Sequence, residues 1–359
     1  MAFTKIAVLG LGNVGRLAAE LLAEAGFEVT GFDFRLVADA PFPVRSADLA
    51  DGAATVEAVA AQGAVLSCLP YALNQAVAAA AHGLGVHYFD LTEDVRTTKF
   101  IRNLAATGKG VMAPQCGLAP GFIGIVGAHL AEQFERVRSI RLRVGALPQH
   151  PTGMLGYAFT WSPEGVVNEY LNDCEIIQEG VLKTIPAMEW IETVYVGGVR
   201  LEAFTTSGGL GTMCETYAGR IENLDYKTLR YPGHIGLMNF FFDELLMRED
   251  RAAAGRILTN AKPPVDDDVV YVHAAAEGWS EGRLNRKEFV RAYYPLEIAG
   301  RMRTAIAWTT AASAVAVIEM VRSGALPASG FLRQESVALE PFLKTRTGRL
   351  FGETRRSGR

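Results

Sequence analysis

The sequence predicts an α/β protein in two parts: a doubly wound parallel sheet at the N-terminus, then a second α+β domain built on a mixed, largely antiparallel sheet. Three observations carry that prediction. Gly10, Gly12 and Gly15 form a G-x-G-x-x-G run between a short apolar strand and a helical pattern. Strand and helix patterns then keep alternating to about residue 115. Beyond Gly121 the texture changes to stretches in which apolar and polar residues alternate with a period of two.

Ile6 to Leu9 is an apolar run of the kind that forms a strand buried on both faces. The helix after the glycines shows Val14, Leu17, Ala18, Leu21, Leu22 and Ala25 at steps of three and four. Gly26 stands where a helix ends, and Phe27 to Phe32 reads as the next strand, followed by Asp33. That order of parts is the dinucleotide-binding fingerprint. Gly10 makes the tight turn, Gly12 admits a pyrophosphate, and Gly15 permits close helix–strand packing. The helix start at Asn13 and Val14 offers free N–H groups to the phosphates. Asp33 would accept bonds from a ribose diol and repel a 2′-phosphate, which favours NAD over NADP. Arg35 works the other way, because an arginine there can pair with a 2′-phosphate or stack on adenine, so NADP stays open.

The alternation continues with strands at Ala64–Leu69, Val86–Leu91 and 111–113, and with helices at Asn74–His82 and Thr98–Ala106. This is the pattern of a Rossmann domain, in which ligands lie over the carboxyl ends of the strands. Leu69 and Pro70, the turn after Tyr88 and Asp90, and the loop Gln115–Gly121 are thereby expected around the nicotinamide end of the cofactor. Asp90 can serve there or simply cap its own turn. Cys116 has three readings: a catalytic nucleophile or acid at a helix start, a small residue lining the nicotinamide pocket, or a buried loop cysteine.

Phe122 to Phe134 reads as a helix and opens the second domain. Period-two stretches follow (VRSIRLRVGALP, VLKTIP, WIETVYVGGVRLEAFTT, VVYVHAAAEG), with a hairpin turn at Gly197–Gly198. Residues 234–247 read as an apolar helix, and Arg301 to Arg322 as a long one packing back on the first domain. The expected domains are therefore 1–121, 122–300 and a returning segment 301–345.

Two loops of the second domain carry polar groups. Ser162 is a predicted N-cap with Pro163 at the first helical position. Capping leaves Trp161, Glu164, Asn168 and Glu169 unexplained, and these can bind an amine or a carboxylate. Lys227, Arg230 and His234 flank Tyr231–Pro232–Gly233. They are either a solvated strand or an anion site, for which arginine's fork suits a carboxylate. A strand puts Lys227 and Arg230 on opposite faces unless a bulge intervenes.

At 359 residues, 49% hydrophobic and 21% charged, the chain is that of a globular protein with ample core. A net charge of −4 gives no reason to expect nucleic acid or an anionic membrane as partner. No apolar run reads as long enough to span a bilayer, and the chain enters a core strand at once, so a cytoplasmic location is expected. Cys68, Cys116, Cys174 and Cys214 show neither metal-ligand nor disulfide spacing, and no metal site is expected.

The segments GLGNVG, HYFDL, CGLAPG, GYAFTWSPEGVVNEY, TSGGLGT and KTLRYPGHIG together resemble the saccharopine dehydrogenase superfamily, nearest its lysine 6-dehydrogenase branch. The resemblance runs to about residue 343. It implies an NAD-dependent oxidoreductase acting on an amino acid with a distal amine, such as L-lysine, and a homodimer or homotetramer. On that basis Arg230, helped by Lys227, is expected to hold an α-carboxylate. Glu164 and Glu169 would meet an ammonium group, His234 would shuttle a proton, and Asp90 and Tyr88 would close the nicotinamide end. Met213 and Cys214 depart from the branch's usual stretch. The alternatives are imine reduction of the saccharopine or carboxynorspermidine type, an acylating semialdehyde dehydrogenase using Cys116, and an NAD-binding redox sensor.

Overall fold

The structure is a computed structural model and describes residues 3–352. The chain divides into two compact units, one running up to Ile125 and resuming at Ala307, the other Val126–Ile306.

The first unit is the doubly wound sheet. Strand β1 (Lys5–Leu9), helix α1 (Asn13–Glu24), β2 (Glu28–Asp33), β3 (Val44–Ser46), α2 (Gly52–Ala60), β4 (Ala64–Ser67), α3 (Tyr71–Leu84), β5 (His87–Asp90), α4 (Val95–Ala105) and β6 (Val111–Ala113) follow in turn. All pairings are parallel, in the order β6-β5-β4-β1-β2-β3, and a strand Gly330–Phe331 adds to the outer side of β6. Strands buried on both faces explain the unbroken apolar runs Ile6–Leu9 and Ala64–Leu66. Helix α3 starts directly after Pro70 and ends at Gly85, whose φ of 71° suits a glycine cap. Helix α4 begins earlier than the apolar pattern indicates because the Asp94 carboxylate accepts from Thr97 N–H at 2.6 Å.

The boundary at Val126 falls inside helix α5, whose regular turns run Phe122–Ala131, shorter than the expected Phe122–Phe134, so that its latter part belongs to the second unit. Its sheet holds β7 (Arg136–Pro148), then, after helix α6 (Pro163–Leu171), β8 (Cys174–Gln178), β9 (Val181–Ile185), β10 (Glu192–Val196) and β11 (Val199–Thr205). It is completed by β12 (Asn223–Arg230), β13 (Asp268–Ser280) and β14 (Arg283–Tyr293). The main path is β10-β11-β12-β7-β13-β14, antiparallel throughout except for β12 beside β7. Ser162 caps α6 as expected, accepting from Gly165 N–H at 3.1 Å with Pro163 in the first turn. The Gly208–Gly211 turn is a packing device: a Cβ on Gly209 would sit 2.3 Å from the Tyr226 ring.

Three expectations are corrected. The helix from His234 keeps α geometry only to Asn239 and continues as a wider π turn over Phe240–Glu244. The long C-terminal helix starts at Ala305; Arg301–Arg303 instead pairs with Leu296–Ile298 around Ala299 and Gly300, whose φ values of 52° and 70° make a hairpin turn. That helix, Ala305–Arg322, is also long and apolar enough by length and composition to cross a membrane, contrary to the sequence reading, but 83% of it is buried, as in a core helix.

The helix start at Ala305 is held by a carboxylate far away in sequence. Asp268 is fully buried and accepts from the backbone N–H groups of Ala305 and Ile306, the latter at 2.8 Å. Truncation would orphan both donors. Asp268→Ala should cost about 3 kcal/mol, since each buried unsatisfied group costs about 1–3 kcal/mol; the urea midpoint measures it, and an unmoved midpoint would mean that water replaces the carboxylate.

Candidate functional site

The first unit carries a dinucleotide clasp. Gly10 has φ 85°, and a Cβ there would lie 3.0 Å from Cys68 O and from the Leu69 side chain. A Cβ on Gly15 would lie 1.9 Å from Gly10 O, so α1 can approach the β1 turn only with glycine at that position. The space at Gly12 is open, and Gly12 begins α1 with no side-chain cap, which leaves the helix's first N–H groups to an external anion. The residues therefore fit a dinucleotide. Asp33 is fixed at the end of β2: its Oδ2 accepts from Leu11 N–H at 2.7 Å and its Oδ1 from Arg35 N–H at 3.0 Å. Each oxygen keeps a lone pair for a ribose hydroxyl. Asn13 and Arg35 are exposed, Val14 is half-buried, and the Arg35 guanidinium lies over the Phe34 ring at 4.5 Å. Leu69 is partly buried against Gly10, and Pro70 is exposed at the head of α3.

Tyr88, Asp90 and Cys116 come together as a buried brace. Asp90 is wholly buried and accepts from Tyr88 Oη at 2.7 Å, Thr92 N–H at 3.0 Å and Gln115 N–H at 2.9 Å. Burial pushes its carboxyl up to about 6, against the pull of those donors. Of the two roles expected for Asp90, capping is the one its bonds display, and it ties the β5 turn to the loop after β6. Tyr88 is spent on the same carboxylate. Cys116 is corrected from the nucleophile reading: its thiol is fully buried, donates to Ala113 O at 3.1 Å, and is pushed up by burial and then by Asp90. A thiolate there is disfavoured. Glu93, which sequence reasoning did not single out, lies between Asp90 and Asp94 in the turn after β5. It is partly buried, and desolvation, then Asp94 and Asp90, raise its carboxyl to about 7.

In the second unit Arg230 is the centre. Its side chain is 3% exposed on β12. Nε donates to Tyr170 Oη at 2.7 Å, and Nη1 donates to Thr228 Oγ1 and Leu229 O, both at 2.8 Å. The Tyr157 ring lies 4.4 Å from the guanidinium carbon. Burial opposes the charge, but Tyr157, Tyr170 and the buried Glu169 outweigh it and keep Arg230 protonated. Nη2 has no partner among the described residues. The buried hydroxyl of Tyr157, near enough to Trp161 for the indole to favour its charged form, closes no bond of ordinary geometry among the described residues.

His234 is not a shuttle here. It is buried between Tyr170 Oη, 2.9 Å from Nε2, and Leu155 O, 3.0 Å from Nδ1. Because Leu155 O can only accept, the neutral ring carries its proton on Nδ1, and Nε2 accepts from the Tyr170 O–H. Burial and then Arg230 lower the imidazole to about 3, so it stays neutral.

Lys227 is also corrected. It projects from the opposite face of β12, where Nζ donates to Trp190 O at 2.6 Å and pairs with Glu192 at 2.9 Å. Arg143 shares Glu192 and binds Asp225 at 2.8 Å. Burial alone would raise the Glu192 carboxyl; Arg143 and Lys227 lower it. This cluster is self-satisfied and does not assist Arg230. Helix α6 divides its own candidates. Glu169 and Tyr170 lie on the buried face, whereas Glu164 is exposed and Asn168, four residues on, accepts from Arg251 at 2.9 Å. Trp161 is partly buried against the core that holds Tyr157 and Tyr170. Tyr157 and Tyr170 were legible only as apolar-face residues, and nothing in the sequence marked them as partners of Arg230.

Residues 6–113 match the saccharopine dehydrogenase NADP binding domain and residues 117–349 the saccharopine dehydrogenase C-terminal domain. Among solved structures, the fold resembles the saccharopine dehydrogenase (L-Glu forming) of Saccharomyces cerevisiae with a TM-score of 0.74, 16% identity and coverage of 95% of this chain and 96% of the other. DAP dehydrogenase of C. glutamicum, solved in complex with DAP, matches with a TM-score of 0.50, 13% identity and coverage of 99% and 100%. With both halves of the family matched in order, this chain belongs to the saccharopine dehydrogenase family and has the NAD(P)-binding amino-acid dehydrogenase fold.

Proposed function

We propose that the protein is an NAD-dependent amino-acid dehydrogenase that oxidises the ε-amine of L-lysine, giving 2-aminoadipate 6-semialdehyde, ammonium, NADH and a proton, with one water consumed. The observation that carries this reading is Arg230: a buried guanidinium with Nε and Nη1 committed and Nη2 without a partner among the described residues. A cation held out of water in that state suits one small carboxylate. Glu169, close enough to act on Arg230 electrostatically and itself buried, supplies the opposite charge beside it. A paired cation and anion match the α-carboxylate and α-ammonium of an amino acid.

The chemistry asks for two services from the chain and one from its cofactor. The amino-acid head must be held so that the distal carbon is fixed, which is the work of Arg230, Glu169 and the Tyr157 hydroxyl. The ε-ammonium must lose a proton before its carbon can give up hydride. Bound nicotinamide supplies the hydride acceptor. Among the first unit's acids Glu93 has a carboxyl suited to accepting a proton, since desolvation holds it up at about 7. Asp90, Cys116 and His234 do not suit that role, each being enclosed and hydrogen-bonded. Asp33, anchored by two backbone donors, supports NAD over NADP through its fixed negative charge.

NADH formation from lysine and NAD, against NADH consumption with lysine and 2-oxoglutarate, separates this reaction from imine reduction. Arg230→Ala should raise the KM for lysine about a hundredfold, on the order of 3 kcal/mol, and Arg230→Lys about tenfold. An unmoved KM in both removes Arg230 from the site. Glu93→Gln should lower kcat at least about a hundredfold, the low end of general-base effects. In the parent protein kcat/KM should climb as pH rises towards 7, because the base works only when ionised; a variant that keeps that limb would acquit Glu93. Asp33→Asn keeps the shape but removes the charge, and should narrow the preference for NAD over NADP by about tenfold, or about 1.4 kcal/mol. Steady-state kinetics with each dinucleotide checks this, and an unchanged ratio would place cofactor choice elsewhere.

A further inference from the structure

The loop after β6 is held from two directions, and only one of them lies in the N-terminal segment. On one side Asp90 takes the Gln115 N–H at 2.9 Å, and its backbone carbonyl takes the Cys116 N–H at 2.8 Å. On the other side is Gln334, which arrives from the C-terminal segment. Strand Gly330–Phe331 pairs with Val111 and Met112, and Leu332 N–H bonds Met112 O at 3.0 Å. Two residues later the Gln334 side chain, 4% exposed, donates through Nε2 to Pro114 O at 2.9 Å and to Cys116 Sγ at 3.2 Å. Its amide cannot be turned over without setting Oε1 against Pro114 O, and in the observed orientation Oε1 is buried without a partner among the described residues.

A buried unpaired acceptor is destabilising. Gln115 adds to the cost, since a non-glycine residue at φ 66° occupies a sparsely populated region. Gly121, with φ 130°, lets the loop fold back until a Cβ would lie 2.0 Å from Gly117 O. Such strain persists only where the surroundings over-determine it, and it concentrates where geometry serves a ligand. The loop stands at the carboxyl end of β6, three strands from β1, which at about 4.8 Å per strand is about 14 Å from the phosphate-binding turn. That sets the loop to one side of the phosphate-binding turn, along the row of carboxyl strand ends over which ligands of such sheets lie.

We propose that Gln334 is a positioning residue for the nicotinamide end of the cofactor, acting through the Pro114–Cys116 turn that it braces. It works without touching the cofactor: losing the Nε2 bonds lets Gln115 and Cys116 relax, and the surface presented to the ring changes while the glycine clasp stays as it is. The proposal rests on the reading that the first unit binds a nicotinamide dinucleotide.

The test compares NADH with ADP-ribose, which has the adenosine and pyrophosphate but no nicotinamide, by calorimetric titration of the full chain. In Gln334→Ala, NADH affinity should fall about tenfold and ADP-ribose affinity should not change. Cys116→Ala, which removes the sulfur that accepts from Gln334 and donates to Ala113 O and leaves the strand pairing and the Pro114 bond in place, should show the same split at about threefold, and it serves if the first variant does not fold. A parallel loss of both ligands would show a general structural role, and no loss of either would show that the brace is idle; each overturns the proposal. Parent protein that binds neither ligand would overturn the dinucleotide reading itself, and the proposal with it.

Discussion

The charge on Arg230 constrains the second unit more than any other single group. A guanidinium removed from water must be answered by dipoles, π faces and counter-charge, or it will not stay buried. The answer is assembled from separate parts of the chain: Tyr157 ahead of α6, Tyr170 and Glu169 within it, and Thr228 and Leu229 on the same strand. The turn of α6 follows from serving that one ion, and the ion adds to the burial that keeps His234 neutral. The helix must point Glu169 and Tyr170 inward, and a second cation beside Arg230 would be repelled. What remains is a cation whose last donor is pre-organised, a good arrangement for recognising a small anion because little ordering is left to be done on binding.

The first unit uses carboxylates in the complementary way. Asp33 and Asp90 both accept backbone N–H groups, but Asp33 stays accessible at a strand end whereas Asp90 is sealed inside. One is positioned to meet a ligand and the other to hold two loops in register. Glu93 sits next to Asp90 and has neither duty. Its raised carboxyl follows from burial beside two like charges, the same environment that makes carboxyls act as acids and bases near neutral pH.

Local signals were legible in the sequence. The glycine spacing, Asp33 after β2, the Ser162 cap and the change from helical to period-two patterning depend on residues a few positions apart, and all four are present in the fold. Parity along β12 already separated Lys227 from Arg230, and the structure shows where each goes. The helical period could likewise have separated Glu164 and Asn168 from Glu169, had it been applied to polar residues as it was to apolar ones. Partners from distant segments were not legible. Nothing near Arg230 names Tyr157, nothing near Cys116 names Gln334, and the hairpin that delays the last long helix depends on Ala299 adopting a positive φ that its type does not advertise.

The strand Gly330–Phe331 lies more than two hundred residues beyond β6, the strand it joins. During synthesis the ribosome therefore delivers the whole of the second unit while β6 still presents its unpaired backbone to the surroundings. An open edge of that kind invites pairing with other nascent chains. The shortness of β6, three residues, limits that hazard until the returning strand closes the edge.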